Sequence, residues 1–144
     1  MKISVYTDGG ARGNPGPAAI GVIINIEYDN LGKQHIRFGE VIGETTNNVA
    51  EYQAIIAAYK KLTEIINDND EKISDIKFFI DSNLIVSQIN GLFKTKNVQL
   101  RELLVEIRTW EGRFSDSHLT YQFIPRLHNQ EADREVNAAL DRQF

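Results

Sequence analysis

Two short segments, YTDGG and FIDSN, each run an apolar stretch into an aspartate, Asp8 in one and Asp81 in the other. An acid placed where a strand ends faces the crevice beyond the carboxyl edge of a sheet, where open α/β proteins bind their ligands. If the two strands are parallel neighbours, they lie roughly 5 Å apart and both acids face one small volume. Two more carboxylates have the same tendency. Glu51 shares a helix flank with Ile55, Ala58 and Leu62 and points inward, and Asp133 follows Ala132 in the first turn of the last predicted helix. Four carboxylates in one crevice repel each other and resist burial. A divalent cation removes that conflict, and all-oxygen donors suit Mg²⁺ or Mn²⁺. Two such ions about 4 Å apart support in-line displacement at a phosphodiester. Taken singly, each acid also has a plain structural reading. Asn48 and Glu51 have the spacing of a capping box, Asp81 can cap the helix after it, and Asp133 complements a helix dipole. Asp8 is harder to explain in this way, because a loop rather than a helix follows it.

The elements that must position these acids are legible in the periodicity. Residues 2–7 read as a strand, and Ala18 to Ile26 is a nearly continuous apolar run expected to be buried on both faces. Asp29-Asn30-Leu31-Gly32 carries hairpin-turn chemistry, and Gln34 to Ile42 is the predicted return strand. Tyr52, Ile55, Ile56, Tyr59, Leu62 and Ile66 then fall at helical spacing, with Asn48 as the expected N-cap. Ile76 to Ile80 is a strand. Leu84, Ile85, Gln88 and Ile89 form a short helix ended by Gly91, and Leu100, Leu103, Leu104, Ile107 and Trp110 mark a further helix. Leu119 to Ile124 reads as a strand before Pro125, and Ala132, Val136, Ala139 and Leu140 form the stripe of a last helix. Three hairpin-like strands followed by alternating helices and strands predict an α/β fold: a five-stranded mixed sheet flanked by helices.

Bulk properties narrow the function. The 144 residues are 42% hydrophobic and 25% charged, which predicts one domain over 1–144. There is no cysteine, so thiolate metal sites and disulfides are excluded. No segment has the pattern of a signal peptide or the length of a membrane span, so a cytoplasmic monomer with no obligate protein partner and no membrane association is expected. The net charge of −4 argues against binding nucleic acid over the whole surface. A nucleic-acid role then needs a local patch or bound metal.

The segments YTDGGARGNPGPAAIG, TTNNVAEYQAIIAAY, IDSNLIVSQINGLFK and NQEADREVNAAL, in that order and spacing, resemble the four acidic motifs of type 1 ribonucleases H along essentially the whole chain. The resemblance implies the ribonuclease H-like fold and hydrolysis of the RNA strand of RNA/DNA hybrids, leaving 5′-phosphate and 3′-hydroxyl ends. It implies that Asp8, Glu51, Asp81 and Asp133 hold two Mg²⁺ ions, with Mn²⁺ also supporting activity. Gly9 and Gly10 are then expected to let the backbone approach the scissile phosphate. Asn14, Asn47, Asn48 and Asn83 correspond to hybrid-reading positions, and Thr46 to a contact with a DNA-strand phosphate. Side chains of this type recognise 2′-hydroxyls in a wide minor groove.

Two departures from the family pattern stand out. Only GLFKTKN separates the two helices after the third motif, so the basic protrusion of some members is absent, and Lys94 and Lys96, with Arg101, are the remaining candidates for a phosphate patch. The loop before the last acid is short, and His128 lies five residues before Asp133. Arg126 competes with His128 for the role of catalytic assistant that a histidine plays in many relatives. Two other functions stay open at this level: a hybrid-binding module without catalysis, and ATP-dependent phosphotransfer to a small molecule on a related fold. Retention of all four acids counts against the first, and the short chain against the second.

Overall fold

The computed structural model describes residues 1–68 and 71–143. Three strands come first: β1 (Lys2–Ala11), β2 (Gly16–Glu27) and β3 (Lys33–Thr45). Helix α1 (Asn47–Asp68) leads to β4 (Asp75–Ile80), then α2 (Asn83–Ile89), α3 (Val98–Gly112), β5 (His118–Phe123) and α4 (Gln130–Gln143). A single 3₁₀ turn, Arg126–Asn129, joins β5 to α4. The sheet has five strands in the order β3-β2-β1-β4-β5. β1, β2 and β3 pair antiparallel, while β4 lies parallel to both β1 and β5. This is the mixed sheet expected from the hydrophobic pattern.

Helices cover the two faces unequally. Tyr52, Ile55, Ile56, Tyr59 and Leu62 of α1 are buried with Val5, Ile24, Phe78 and Ile80 of the sheet, and Ile85, Ile89, Leu100 and Ile107 from α2 and α3 complete the same core. On the other face, Val136, Ala139 and Leu140 of α4 pack with Ala19. β2 is therefore buried from both sides, which is why its sequence is apolar without alternation. Truncating a side chain of the larger core, such as Leu62, to alanine costs about 2–5 kcal/mol.

Two expectations about element ends change. β1 does not stop before Asp8 but runs to Ala11, because β2 continues to pair with it, Asp8 opposite Gly21. The parallel pairing of β1 with β4 does stop, at Thr7 opposite Ile80. Asp8 and Asp81 are thus each the first residue past the last parallel pair. Asn48 is not the N-cap of α1. Thr46 is: its carbonyl accepts the Ala50 N–H at 3.1 Å and its Oγ1 accepts the Val49 N–H at 3.2 Å.

Candidate active site

Where β1 and β4 part, the carboxylates of Asp8, Glu51 and Asp81 each place an oxygen within 4.8 Å of the others. Strand ends supply two of the three. Glu51 arrives from the second turn of α1, and a side chain on β1 would block that approach. A Cβ on Gly9 would collide with the backbone carbonyl of Ala50 and crowd the Glu51 nitrogen. Gly9 therefore makes room for α1, and Gly10 lies beneath Val136 of α4. On the opposite face Gly21 does the same for α4, where a Cβ would strike the Ala132 carbonyl, one residue before Asp133. Asp133 joins the trio in a cleft of about 410 Å³ that also exposes Gly9, Gly10, Asn47, Asn48, Ser82 and Arg126.

The capping alternatives for these acids fail. Ser82, not Asp81, caps α2, its hydroxyl accepting the Ile85 N–H at 3.3 Å. With Thr46 capping α1, Glu51 is not half of a capping box with Asn48. Neither Glu51 nor Asp81 is thus spent on a helix cap. Burial first, and then the charges of Asp81 and Asp133, push the Asp8 carboxyl up to about 7, against the effect of its hydrogen bond with Glu51. Burial, followed by the charges of Asp8 and Asp81, holds Glu51 well above the usual carboxylate range. Protonation of either acid relieves this repulsion. Among the described residues, Glu51 Oε2 is buried and has no hydrogen-bond partner. Two acids 7% exposed, an orphaned carboxylate oxygen and an all-oxygen donor set fit a hard divalent cation.

The asparagines around the cleft form a brace. Asn14 Oδ1 accepts the Asn47 N–H at 3.0 Å, and Asn47 Oδ1 accepts the Ala11 N–H at 2.8 Å, tying the exposed 12–15 loop to the start of α1. Arg12 extends this tie to α4 through Asp141 at 2.6 Å. Asn83 opens α2 next to Ser82 and is exposed. Lys94 and Lys96 lie exposed in the segment between α2 and α3 and do not line the acidic cleft. Arg126 lines the cleft, whereas His128, two residues on in the 3₁₀ turn, lines a separate pocket with Tyr6, Asn25 and Arg134.

One site residue escaped the sequence reading. Asn129 is 1% exposed, and its Nδ2 donates to the Thr7 carbonyl at 2.9 Å and to Asp81 Oδ2 at 3.0 Å. Its only signal was its place four residues before Asp133, in a stretch that read as polar loop.

The family model described as reverse transcriptase-like matches residues 6–139. Bifunctional protein Rv2228c of Mycobacterium tuberculosis is 32% identical over 142 residues, which is 98% of this chain and 36% of that protein. Ribonuclease HI of Halobacterium salinarum is 37% identical over 140 residues, covering 97% of this chain and 65% of its own length. The chain thus spans about a third of the first relative and just under two thirds of the second. Among solved structures, LC11-RNase H1 in complex with an RNA/DNA hybrid has 39% identity and a TM-score of 0.85, covering 98% of both chains.

Proposed function

The chain belongs to the type 1 ribonuclease H family, and from that premise we propose that it is an endonuclease hydrolysing the RNA strand of RNA/DNA hybrids to 5′-phosphate and 3′-hydroxyl ends. The observation that carries the reading is the Asp8–Glu51–Asp81 trio, three carboxylate oxygens within 4.8 Å where the parallel strands part. Asp8, Glu51, Asp81 and Asp133 would together hold two Mg²⁺ ions, and Mn²⁺ would serve as well. A bound divalent cation supplies Lewis acidity at phosphodiester oxygens and offsets the charge of the acids.

The chain's own residues do the rest. Asp8 and Glu51, both raised above the usual carboxylate range, would have to be deprotonated to hold the cation, so its binding would be linked to proton release. Asn47 and Asn48, with Asn14 and Asn83 beside them, orient the hybrid by its minor groove, where 2′-hydroxyls distinguish RNA from DNA. Thr46, Lys94 and Lys96 contact phosphates away from the acids. Arg126 projects a permanently charged guanidinium into the cleft, matched to a phosphate near the acids. We assign the same domain to residues 1–144 and expect a cytoplasmic monomer; no helix among the described residues is long and apolar enough to cross a membrane.

Incubation of an end-labelled RNA/DNA hybrid, with matched single strands and duplexes, tests the reading. Internal RNA cleavage of the hybrid alone, dependent on Mg²⁺, is expected. Equal cleavage in EDTA, or none of the hybrid in Mg²⁺ or Mn²⁺, contradicts it.

A further inference from the structure

Asn129 is among the most deeply buried polar residues of the protein, yet it stands at the edge of the acidic cleft. A buried amide is normally fully hydrogen-bonded. Here both contacts come from one end of the amide. Nδ2 donates to the Thr7 carbonyl and to Asp81 Oδ2, while Oδ1 has no partner among the described residues. The reverse orientation would set the amide oxygen against a carbonyl and a carboxylate, so only one orientation is compatible with the site. The Nδ2 end of the amide is therefore the end that makes the site's contacts.

The contacts tie together the parts that must converge. Thr7 is the last residue of β1 paired with β4, and Asp81 is the first residue after β4. Asn129 ends the 3₁₀ turn and immediately precedes α4, which carries Asp133. Asp81 is only half-buried and faces two other carboxyls, and the Asn129 donor on Oδ2 opposes its rotation toward solvent. We propose that Asn129 is a positioning residue: its amide fixes Asp81 against the end of β1 so that the acidic trio is set for a divalent cation before one binds.

The inference rests on the metal reading above, and metal titrations without nucleic acid separate the two. Calorimetric titration of Mg²⁺ is compared for the wild-type protein, Asn129→Ala and the near-isosteric Asn129→Leu, with folding followed by circular dichroism. Outer-shell partners of metal ligands typically contribute about 10–100-fold in affinity, so both variants should bind Mg²⁺ at least tenfold more weakly. Hybrid cleavage by either should need correspondingly more Mg²⁺ and recover when the metal is in excess, which removal of a purely structural hydrogen bond would not produce. Wild-type affinity in either folded variant overturns the inference alone; a wild-type protein that binds neither Mg²⁺ nor Mn²⁺ overturns it together with the metal reading. A third measurement does not depend on variant folding. In wild-type protein the ¹⁵N side-chain amide signals of Asn129 should move with Mg²⁺ occupancy, and signals that stay fixed while Mg²⁺ binds overturn the proposal.

Discussion

Two polar clusters among the described residues are built in opposite ways. Behind the sheet, Tyr59 of α1 is hydrogen-bonded to Tyr121 of β5, whose hydroxyl donates to Glu111 of α3 at 2.7 Å. Arg108 in turn holds Glu111 at 2.9 Å and the carbonyl that ends α2, that of Ile89. Every link pairs a donor with an acceptor, and a positive group balances the negative one. The cleft concentrates carboxyls, raises two of them above their ordinary range and leaves Glu51 Oε2 without a partner among the described residues. Both cost desolvation, but only the first recovers it within the described residues. The cluster left unsatisfied is the one shaped for something that arrives from outside.

The strongest way to break this contrast is Asp8→Asn. It removes a metal ligand and a repelling charge together, so hybrid cleavage should fall by roughly a thousandfold or more, the loss of several kcal/mol of transition-state stabilisation. The same variant, free of metal, should be more stable than wild type at pH 8. The sign follows from linkage: a carboxyl raised to about 7 in the folded state ionises at lower pH in the unfolded chain, so wild type loses stability as pH rises from about 4 to about 7. Asp8→Asn removes the Asp8 share of that loss and leaves that of Glu51, and thermal melts across this range should show it as a flatter profile. Tyr121→Phe should do the reverse, lowering stability by about 1–2 kcal/mol in denaturant melts while leaving turnover within about twofold of wild type.

Smaller effects sharpen the map of the cleft. Arg126→Ala should lower steady-state turnover more than His128→Ala, since only Arg126 shares the cavity of the acids, and neither should approach the loss from Asp8→Asn. The opposite ranking would make His128 the assistant. Replacing Lys94 and Lys96 together should have the least effect on chemistry. It should weaken hybrid binding and flatten its log–log salt dependence by roughly one unit for each phosphate no longer neutralised. An unchanged slope assigns both lysines to the solvated surface.

The contrast also explains what could be read without coordinates. The apolar runs of β2, β4 and α4 are direct consequences of burial, so the fold follows from periodicity, and the acids show themselves because they interrupt those runs. Local hydrogen-bond choices do not show in composition. Thr46 rather than Asn48 caps α1, and Ser82 rather than Asp81 caps α2, because several neighbouring residues have side chains able to cap and only the backbone path selects one. The packing constraint on Gly9 could not be read from its sequence neighbours, because it comes from Ala50, far away in the chain. Asn129 was invisible for the same reason. A polar residue in a polar stretch gives no hint that the turn around it folds inward.

The claim that the cleft is held short of a cation is tested most directly by thermal unfolding with and without millimolar Mg²⁺ or Mn²⁺, at pH 6 and pH 8, for wild type and Asp8→Asn. A ligand that binds only the folded state raises its stability. Because the Asp8 carboxyl must lose its proton to bind metal, the account predicts a metal-induced rise in the wild-type midpoint that is larger at pH 8 than at pH 6 and absent in Asp8→Asn. A wild-type midpoint unmoved by either metal at pH 8, or an equal rise in Asp8→Asn, would contradict it.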